Sequence, residues 1–314
     1  MIPRRELIHN SAASRRCAPA VVGGARQSAG MDDGTPFIGS EALASGALTP
    51  YELRRHYRAV MPNVYLERRI EPSLRQRTQA AWLWSGRSAV VAGLSASVLH
   101  GARWVDDGAP VELIWPNARS PRQVVTRAEY LAAGETCLIA GMSVTTPSRT
   151  AFDVGRRGPI GDAVARVDSL LAATRFAMDD VVAMAGEHVG ARGLRQLRRV
   201  LDLADAGAES PRETWLRLLL IAAGYPRPRT QIPVISPDGR RRYYLDMGWE
   251  ELRIAVEYDG DHHRSDAAQF AGDIRRLADL DELGWRLVRV VARSSRDDVL
   301  RRVQRAWDRR STLR

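Results

Sequence analysis

The hydrophobic pattern is clearest in the C-terminal third of the chain. Segments with apolar residues at helical spacing stand beside short stretches that alternate apolar and polar residues, with glycine-containing turns between them. This pattern predicts a helix, a three-stranded meander, a helix, a strand and a closing helix. The predicted segments are a helix from Ser210 to Gly224, strands over 231–235, 242–247 and 253–259, a helix over 270–283, a strand over 286–291 and a helix over 296–309.

The earlier part of the chain predicts four further regions. Residues 1–34 show no periodicity that would bury a face, so we expect a disordered tail, with Met1 or Met31 as the start. Short helices and a strand over 35–75 predict a winged-helix-like region, and 76–155 predict a small mixed α/β domain. Three helical patterns over 156–208 predict a connector to the domain at 209–314. The fold class expected is therefore multidomain α/β (α+β).

A basic helix stands out within the winged-helix-like region. Thr49 is the expected N-cap, Pro50 the first helical residue, and Glu52 completes a capping box three residues after the cap. Two interpretations fit the helix equally: its arginines bind DNA phosphates, or they form a solvated face. The candidate DNA-binding side chains are Arg54, Arg55 and Arg58.

Composition narrows the class of protein. The 314 residues are 45% hydrophobic and 27% charged, and no apolar run reaches the roughly 18 residues that a membrane helix needs. The two cysteines, Cys17 and Cys137, provide no disulfide framework, which fits a cytoplasmic location. All 47 basic residues are arginine and the net charge is +10, so we expect a polyanionic partner, of which nucleic acid is the commonest.

The densest group of chemically active side chains lies around the third meander strand. Glu257 and Asp259 are at its end, His262 and His263 follow, and Asp246 precedes Glu257 by eleven residues on the neighbouring strand. Alternation along a strand places Glu257 and Asp259 on one face. Asp246 converges with Glu257 if the strand pair bends or bulges there. Carboxylates gathered in this way are typical ligands of a divalent metal.

Several motifs in this region resemble the DUF559 family, which is related to very-short-patch-repair endonucleases of the PD-(D/E)XK superfamily. The resemblance covers roughly 209–310, and the order of the predicted elements agrees with the restriction-endonuclease-like αβββαβα core. The motifs are Tyr244-Leu245-Asp246, Val256-Glu257-Tyr258-Asp259-Gly260, His262-His263, Asp273-Ile274-Arg275-Arg276 and the segment from Leu283 to Arg289.

The resemblance implies phosphodiester hydrolysis that depends on Mg²⁺ or Mn²⁺. Asp246 and Glu257 would be metal ligands, and Glu213 is a candidate for a further, helix-borne carboxylate. Glu213 has a second interpretation of equal weight, because with Ser210 it predicts a capping box at the start of the first helix.

One feature departs from the superfamily pattern, which has a lysine two residues after the glutamate. Asp259 occupies that position, and the chain contains no lysine. We expect His262 or His263 to act in its place as a catalytic group, with His262 slightly preferred. An inactive cluster that only binds DNA or stabilises a turn is the alternative. Arg276 is expected to anchor the following helix rather than touch substrate.

The N-terminal part resembles AbiEi-type antitoxins over about 35–155. The motifs are Thr146-Pro147-Ser148-Arg149-Thr150-Ala151-Phe152-Asp153, the Thr49 helix and Leu99-His100-Gly101. The resemblance implies a winged-helix element that binds promoter DNA.

Two hypotheses about function follow. The first is a metal-dependent DNA endonuclease. The alternative is a DNA-binding antitoxin or transcriptional regulator with an inactive nuclease-like domain and a toxin protein as partner. RNA cleavage by the same site is a third, weaker hypothesis.

Overall fold

Three β-sheets, each with its own helices, occupy successive parts of this mixed α/β, multidomain chain. The structure is a computed structural model that describes residues 34–117, 119–259 and 267–311. Among these residues no helix combines the length and apolar character required to cross a membrane.

The first sheet is small and antiparallel, with strand order β1-β3-β2. The predicted capping box is present, since the Thr49 side chain accepts the Glu52 N–H and the Glu52 carboxylate accepts the Thr49 N–H. The basic helix ends at His56, because Tyr57 is extended and pairs with the next strand. Arg58 is therefore a strand residue, which corrects its expected place on the helix. The elements are β1 (Phe37–Ile38), α1 (Gly39–Ala44), α2 (Pro50–His56), β2 (Tyr57–Met61) and β3 (Val64–Glu67).

The second sheet has five strands in the order β6-β5-β4-β8-β7 and combines parallel and antiparallel pairs. The sequence predicted a small mixed α/β domain here, and the structure has helices and strands mixed in this region; the strands have four residues or fewer, which gives only a weak periodic signal. The elements are α3 (Leu74–Trp84), β4 (Val90–Val91), α4 (Gly93–Leu99), β5 (Val111–Ile114), β6 (Val124–Arg127), β7 (Thr136–Ile139), β8 (Met142–Thr145) and α5 (Pro147–Gly155).

Three helices connect this sheet to the C-terminal one, as predicted. They bury apolar faces against α5 and against each other, with Leu170, Val181, Leu197 and Val200 fully buried. The helices are α6 (Ile160–Thr174), α7 (Met178–Glu187) and α8 (Leu194–Leu203).

The third sheet has the order β12-β11-β10-β9, and only β11 and β12 run parallel. One face packs with α9 and α11 around Met247 and Val256, and the other packs under α10 around Leu245 and Leu280. The element order agrees with the prediction. The elements are α9 (Pro211–Ala222), β9 (Arg229–Ile235), β10 (Arg242–Trp249), a 3-10 turn (Glu250–Leu252), β11 (Ile254–Asp259), α10 (Ala267–Glu282), β12 (Arg286–Val291) and α11 (Arg296–Ser311).

A buried ion pair joins the connector to the C-terminal sheet. Arg217 of α9 donates to Asp168 of α6 at 2.7 Å, and both side chains are at most 1% exposed. Thr214 Oγ1 and the Asp205 N–H also donate to this carboxylate, at 2.8 and 2.7 Å. Burial raises the pKa of Asp168 to about 6, against the opposing effect of Arg217. The negative charge of the buried Asp168 carboxylate is therefore stabilised by its three hydrogen-bond donors.

Removal of this arginine should destabilise the protein strongly. Arg217→Met leaves Asp168 buried without its cation, so the free energy of unfolding at pH 8 should fall by about 3 to 5 kcal/mol. Denaturant unfolding measures the change. Arg212→Met on the same helix is the control, because Arg212 is exposed, and it should change stability by at most about 0.5 kcal/mol. Equal losses of stability in Arg217→Met and Arg212→Met would show that the ion pair with Asp168 is not the cause.

A candidate carboxylate site in the C-terminal sheet

Asp246 lies where strands β10 and β11 separate. Their ladder runs from Trp249↔Ile254 to Met247↔Val256 and goes no further. Beyond it the Tyr258 N–H donates to Asp246 Oδ2 at 2.8 Å. A side chain thus replaces the backbone acceptor that a continued ladder would supply.

Strand β10 also changes face at Asp246. Residues two apart on a regular strand share a face, yet Leu245 packs under α10 while Met247 packs against α9 and α11. On the neighbouring strand, Gln231 lies across from Asp246 and has a left-handed backbone, with φ of 49°. This irregularity is the bend required for Asp246 to approach β11.

Glu257 lies on the α10 side of β11. It is 7% exposed, and the neighbouring Val256 packs on the opposite face. Arg276 of α10 donates to both of its carboxylate oxygens, with Nη1 to Oε2 at 3.0 Å and Nη2 to Oε1. Arg276 Nη2 also donates to the Tyr244 carbonyl at 3.1 Å. The guanidinium therefore joins α10 to the ends of both strands.

Arg276 was expected to anchor the helix rather than touch substrate, and these bonds do anchor α10 to the strands. The sequence did not indicate that Glu257 is the partner. A sequence signal was available: a carboxylate on a buried strand favours a cationic partner, and arginine is the most abundant candidate in a chain without lysine. The sequence could not identify which arginine, because the pairing joins residues 19 positions apart across two elements.

Asp259 has a different partner. Arg289 of β12 donates to its Oδ2 at 2.6 Å, and the Asp259 side chain is 30% exposed. The structure thus directs Asp259 toward the neighbouring parallel strand.

Glu213 caps the first turn of α9 and also acts on Asp246. Its N–H donates to Ser210 Oγ at 3.2 Å, and its Oε2 accepts the Glu209 N–H at 2.9 Å. The predicted capping box is therefore modified, since the carboxylate binds the N–H of the residue before the N-cap. Burial raises the pKa of Glu213.

The three carboxylates act on one another electrostatically. Burial, together with the charges of Glu213 and Glu257, raises the pKa of Asp246 from its ordinary value of 3.8 to about 7. The Tyr258 N–H and Arg276 oppose this rise. We call Glu213, Asp246, Glu257 and Arg276 the carboxylate cluster.

The cluster offers oxygen ligands, the kind that Mg²⁺ prefers. No group of three His, Cys, Asp or Glu side chains converges closely enough to hold a metal among the described residues. Mg²⁺ typically takes only one or two carboxylates, with water and substrate phosphate as the other ligands. Asp246 and Glu257 fit that requirement in kind, and the mutual repulsion that raises the Asp246 pKa would be relieved by a cation. His262 and His263 lie outside the described residues.

The predicted DNA-binding arginines have different surroundings. Arg54 and Arg55 are exposed on α2, and Arg55 contacts the Tyr51 ring and hydroxyl. Arg58 is held by Glu71 at 2.9 Å and by the Ile70 carbonyl at 2.6 Å. Arg54 and Arg55 are thus the members of the set that are open to solvent.

The raised pKa of Asp246 makes stability depend on pH. The folded protein binds this proton more tightly than the unfolded chain, so the contribution is complete below about pH 4 and is lost as pH rises through about 7. Asp246→Asn retains an acceptor for the Tyr258 N–H but carries no charge. We expect it to raise the free energy of unfolding by roughly 2 to 4 kcal/mol at pH 8 and to change it little at pH 4.

Denaturant unfolding of both proteins at the two pH values measures the difference. Asp259→Asn is the matched control, because its carboxylate is more exposed and ion-paired. A gain at pH 4 as large as that at pH 8 would show that charge is not the cause.

Comparisons with known proteins place the chain among uncharacterized relatives. No protein-family profile matches it. The crystal structure of the Mycobacterium tuberculosis protein RV2827C aligns with a TM-score of 0.36 and 16% identity over 67% of this chain and 87% of that one, a similarity too low to indicate a shared fold. The uncharacterized proteins Rv2248 (strain ATCC 25618 / H37Rv) and MT2308 (strain CDC 1551 / Oshkosh) of the same organism are each 30% identical over 231 residues, which span 74% of this chain and 83% of theirs. The chain belongs to the same family as these two mycobacterial proteins.

Proposed function

We propose that the C-terminal domain is a metal-dependent nuclease that hydrolyses phosphodiester bonds in DNA. The observation that carries this proposal is that Asp246, at the point where β10 and β11 separate, is close enough to Glu257 and Glu213 for their charges to raise its pKa. The order of the elements supports it, because a helix, an antiparallel meander, a helix and a parallel fourth strand form the arrangement expected of a PD-(D/E)XK core.

Each member of the cluster has a role in the proposal. Asp246 and Glu257 would hold Mg²⁺ or Mn²⁺, with Glu213 as a third carboxylate beside them. The metal supplies polarisation of the phosphoryl group and a more acidic water. Asp246 must be ionised to serve as a ligand, so protons compete with the metal for this carboxylate and metal binding should weaken as the pH falls below about 7.

Arg276 is the group we propose in place of the missing lysine. Its guanidinium remains charged at every physiological pH and presents paired donors that match phosphate as well as carboxylate. In the structure these donors bind Glu257. Substrate phosphate would compete with Glu257 for these donors. Glu257 would then be available to the metal, and the guanidinium would stabilise the negative charge of the phosphate. His262, and less strongly His263, is proposed to protonate the leaving oxygen.

A specific observation favours the second function, a DNA-binding regulator. Arg276 engages both oxygens of Glu257, and a permanent ion pair of this kind would close the site. The N-terminal sheet order β1-β3-β2 with α1 and α2 also supports this alternative, because it agrees with the arrangement expected of a winged helix. In this alternative the protein binds promoter DNA, with a toxin protein as partner.

Cleavage assays separate the two functions. We expect the wild-type protein to cut plasmid DNA with Mg²⁺ or Mn²⁺ at pH 8, and Asp246→Asn and Glu257→Gln to lose at least about 100-fold in rate. Arg276→Met should lose about 100-fold because a charged donor near the phosphate is removed. Arg275→Met is the matched control, since Arg275 is the exposed neighbour on the same helix, and it should retain most of the rate.

The two hypotheses differ in one further outcome. A wild-type protein that shifts DNA in a gel but cuts neither DNA nor single-stranded RNA with either metal would refute the nuclease and leave the regulator. Cleavage of RNA but not of DNA would show that the protein is a nuclease whose substrate is RNA.

The N-terminal helix gives an independent prediction about binding. Replacing Arg54 and Arg55 together by alanine should weaken duplex binding, measured in EDTA, and should reduce the slope of log affinity against log salt by about 2. Arg122→Ala, which removes an exposed arginine from the loop before β6, is the charge control. If the double variant kept the wild-type slope, α2 would not contact phosphates.

A further inference from the structure

Trp104 is exposed in an unusual way. It lies in the loop between α4 and β5, and 63% of its surface is accessible. Its backbone is left-handed, with φ of 63°, a conformation that bulky side chains rarely adopt and that is concentrated at binding sites. A large apolar ring is thus presented to solvent at some energetic cost.

The loop that carries the ring is fixed in place. Trp104 Nε1 donates to the Glu209 carbonyl at 2.8 Å. One residue earlier, the Arg103 N–H donates to Ser169 Oγ at 2.8 Å, and that hydroxyl donates to the Arg103 carbonyl at 2.9 Å. These bonds attach the loop to α6 and to the residue before the N-cap of α9, so the ring has a defined orientation.

The same bonds place Trp104 beside the carboxylate cluster. Glu209 accepts from Trp104 through its carbonyl and donates its N–H to Glu213 Oε2 at 2.9 Å. Because the two groups belong to one residue, the indole nitrogen lies at most about 10 Å from the Glu213 carboxylate. At most about three nucleotides span such a distance, since successive phosphates on one strand rise by roughly 3.4 Å along a duplex.

Open space and arginine side chains adjoin the ring, with Asp162 and Glu209 also at the cavity walls. Trp104 and Arg103 both line two neighbouring cavities, of about 410 and about 170 Å³. Arg166 lines the smaller one. Within the part of the chain that the structure describes, the guanidinium of Arg103 forms no ion pair. An aromatic face beside an uncommitted guanidinium is the chemistry that holds a base by stacking and its phosphate by charge.

We propose that Trp104 and Arg103 form a platform that stacks an unpaired base of the DNA substrate beside the carboxylate cluster. This inference rests on the proposed nuclease function for its substrate. It makes Trp104 a specificity residue contributed by the domain that precedes the nuclease-like one. Bases within a duplex are already stacked and paired, so the platform favours single-stranded or locally opened DNA.

The test measures binding separately from cleavage. In the Asp246→Asn protein, with EDTA present, fluorescence anisotropy reports affinity for a labelled 16-nucleotide single strand and for the matching duplex. Adding Trp104→Ala should weaken single-strand binding by about 10-fold or more and duplex binding by less than about 2-fold. Adding Trp104→Phe, which retains a ring but loses the bond to Glu209, should retain most of the affinity. Arg103→Met should reduce it by about 3-fold or more.

Tyr130→Ala is the matched control, since Tyr130 is an exposed aromatic residue, 74% accessible, in another loop; it should bind like the parent protein. Unchanged single-strand affinity for Trp104→Ala would overturn the platform whether or not the wild type cuts DNA. Equal losses for the alanine and phenylalanine variants, or equal losses on single strand and duplex, would also overturn it, because the residue would then act through loop structure. The binding test does not depend on cleavage. Failure of the proposed nuclease function would be seen only in the cleavage assay, and failure of the stacking platform only in the binding assay.

Discussion

The buried carboxylate of Asp168 is the constraint on which the arrangement of the domains depends. It accepts hydrogen bonds from Arg217 and Thr214 of α9 and from the backbone of Asp205, so it fixes how α9 lies against the connector helix α6. A buried charge tolerates little displacement, because each lost donor leaves it desolvated and unpaired. The position of α9 in turn fixes Glu213 and the Glu209 carbonyl to which Trp104 is attached. One ion pair therefore sets the relation between the exposed tryptophan and the carboxylate cluster.

A second constraint operates within the C-terminal sheet. Separation of β10 from β11 would leave the Tyr258 N–H without an acceptor, and Asp246 provides one. Burial of this carboxylate, together with the charges of Glu213 and Glu257, raises its pKa to about 7. The site is thus built at the expense of stability at neutral pH, as is common where charged groups are gathered for binding or catalysis.

The arginine-only composition has structural consequences elsewhere in the chain. The segment from Thr146 to Asp153 contains Arg149, whose side chain is only 1% exposed. Arg149 pairs with Asp153 one helical turn later and with Glu129 and Glu135 from the preceding loop. These ion pairs hold α5 against that loop, and the Arg149 guanidinium is buried rather than exposed to solvent. At Glu257, by contrast, an arginine provides charge beside the carboxylate cluster, and its planar fork binds both carboxylate oxygens together.

The sequence by itself determined the order of the C-terminal elements, the Thr49 capping box, the three connector helices and the opposite faces of Val256 and Glu257. These follow from local periodicity and from side chains only a few residues apart. Tertiary structure alone decided that Arg276 binds Glu257, that Asp259 turns to Arg289, that β10 changes face at Asp246 and that Trp104 lies beside Glu213. Each of these joins residues from separate elements. Strand spacing indicates which residues share a face, but it does not indicate which distant side chain packs over that face.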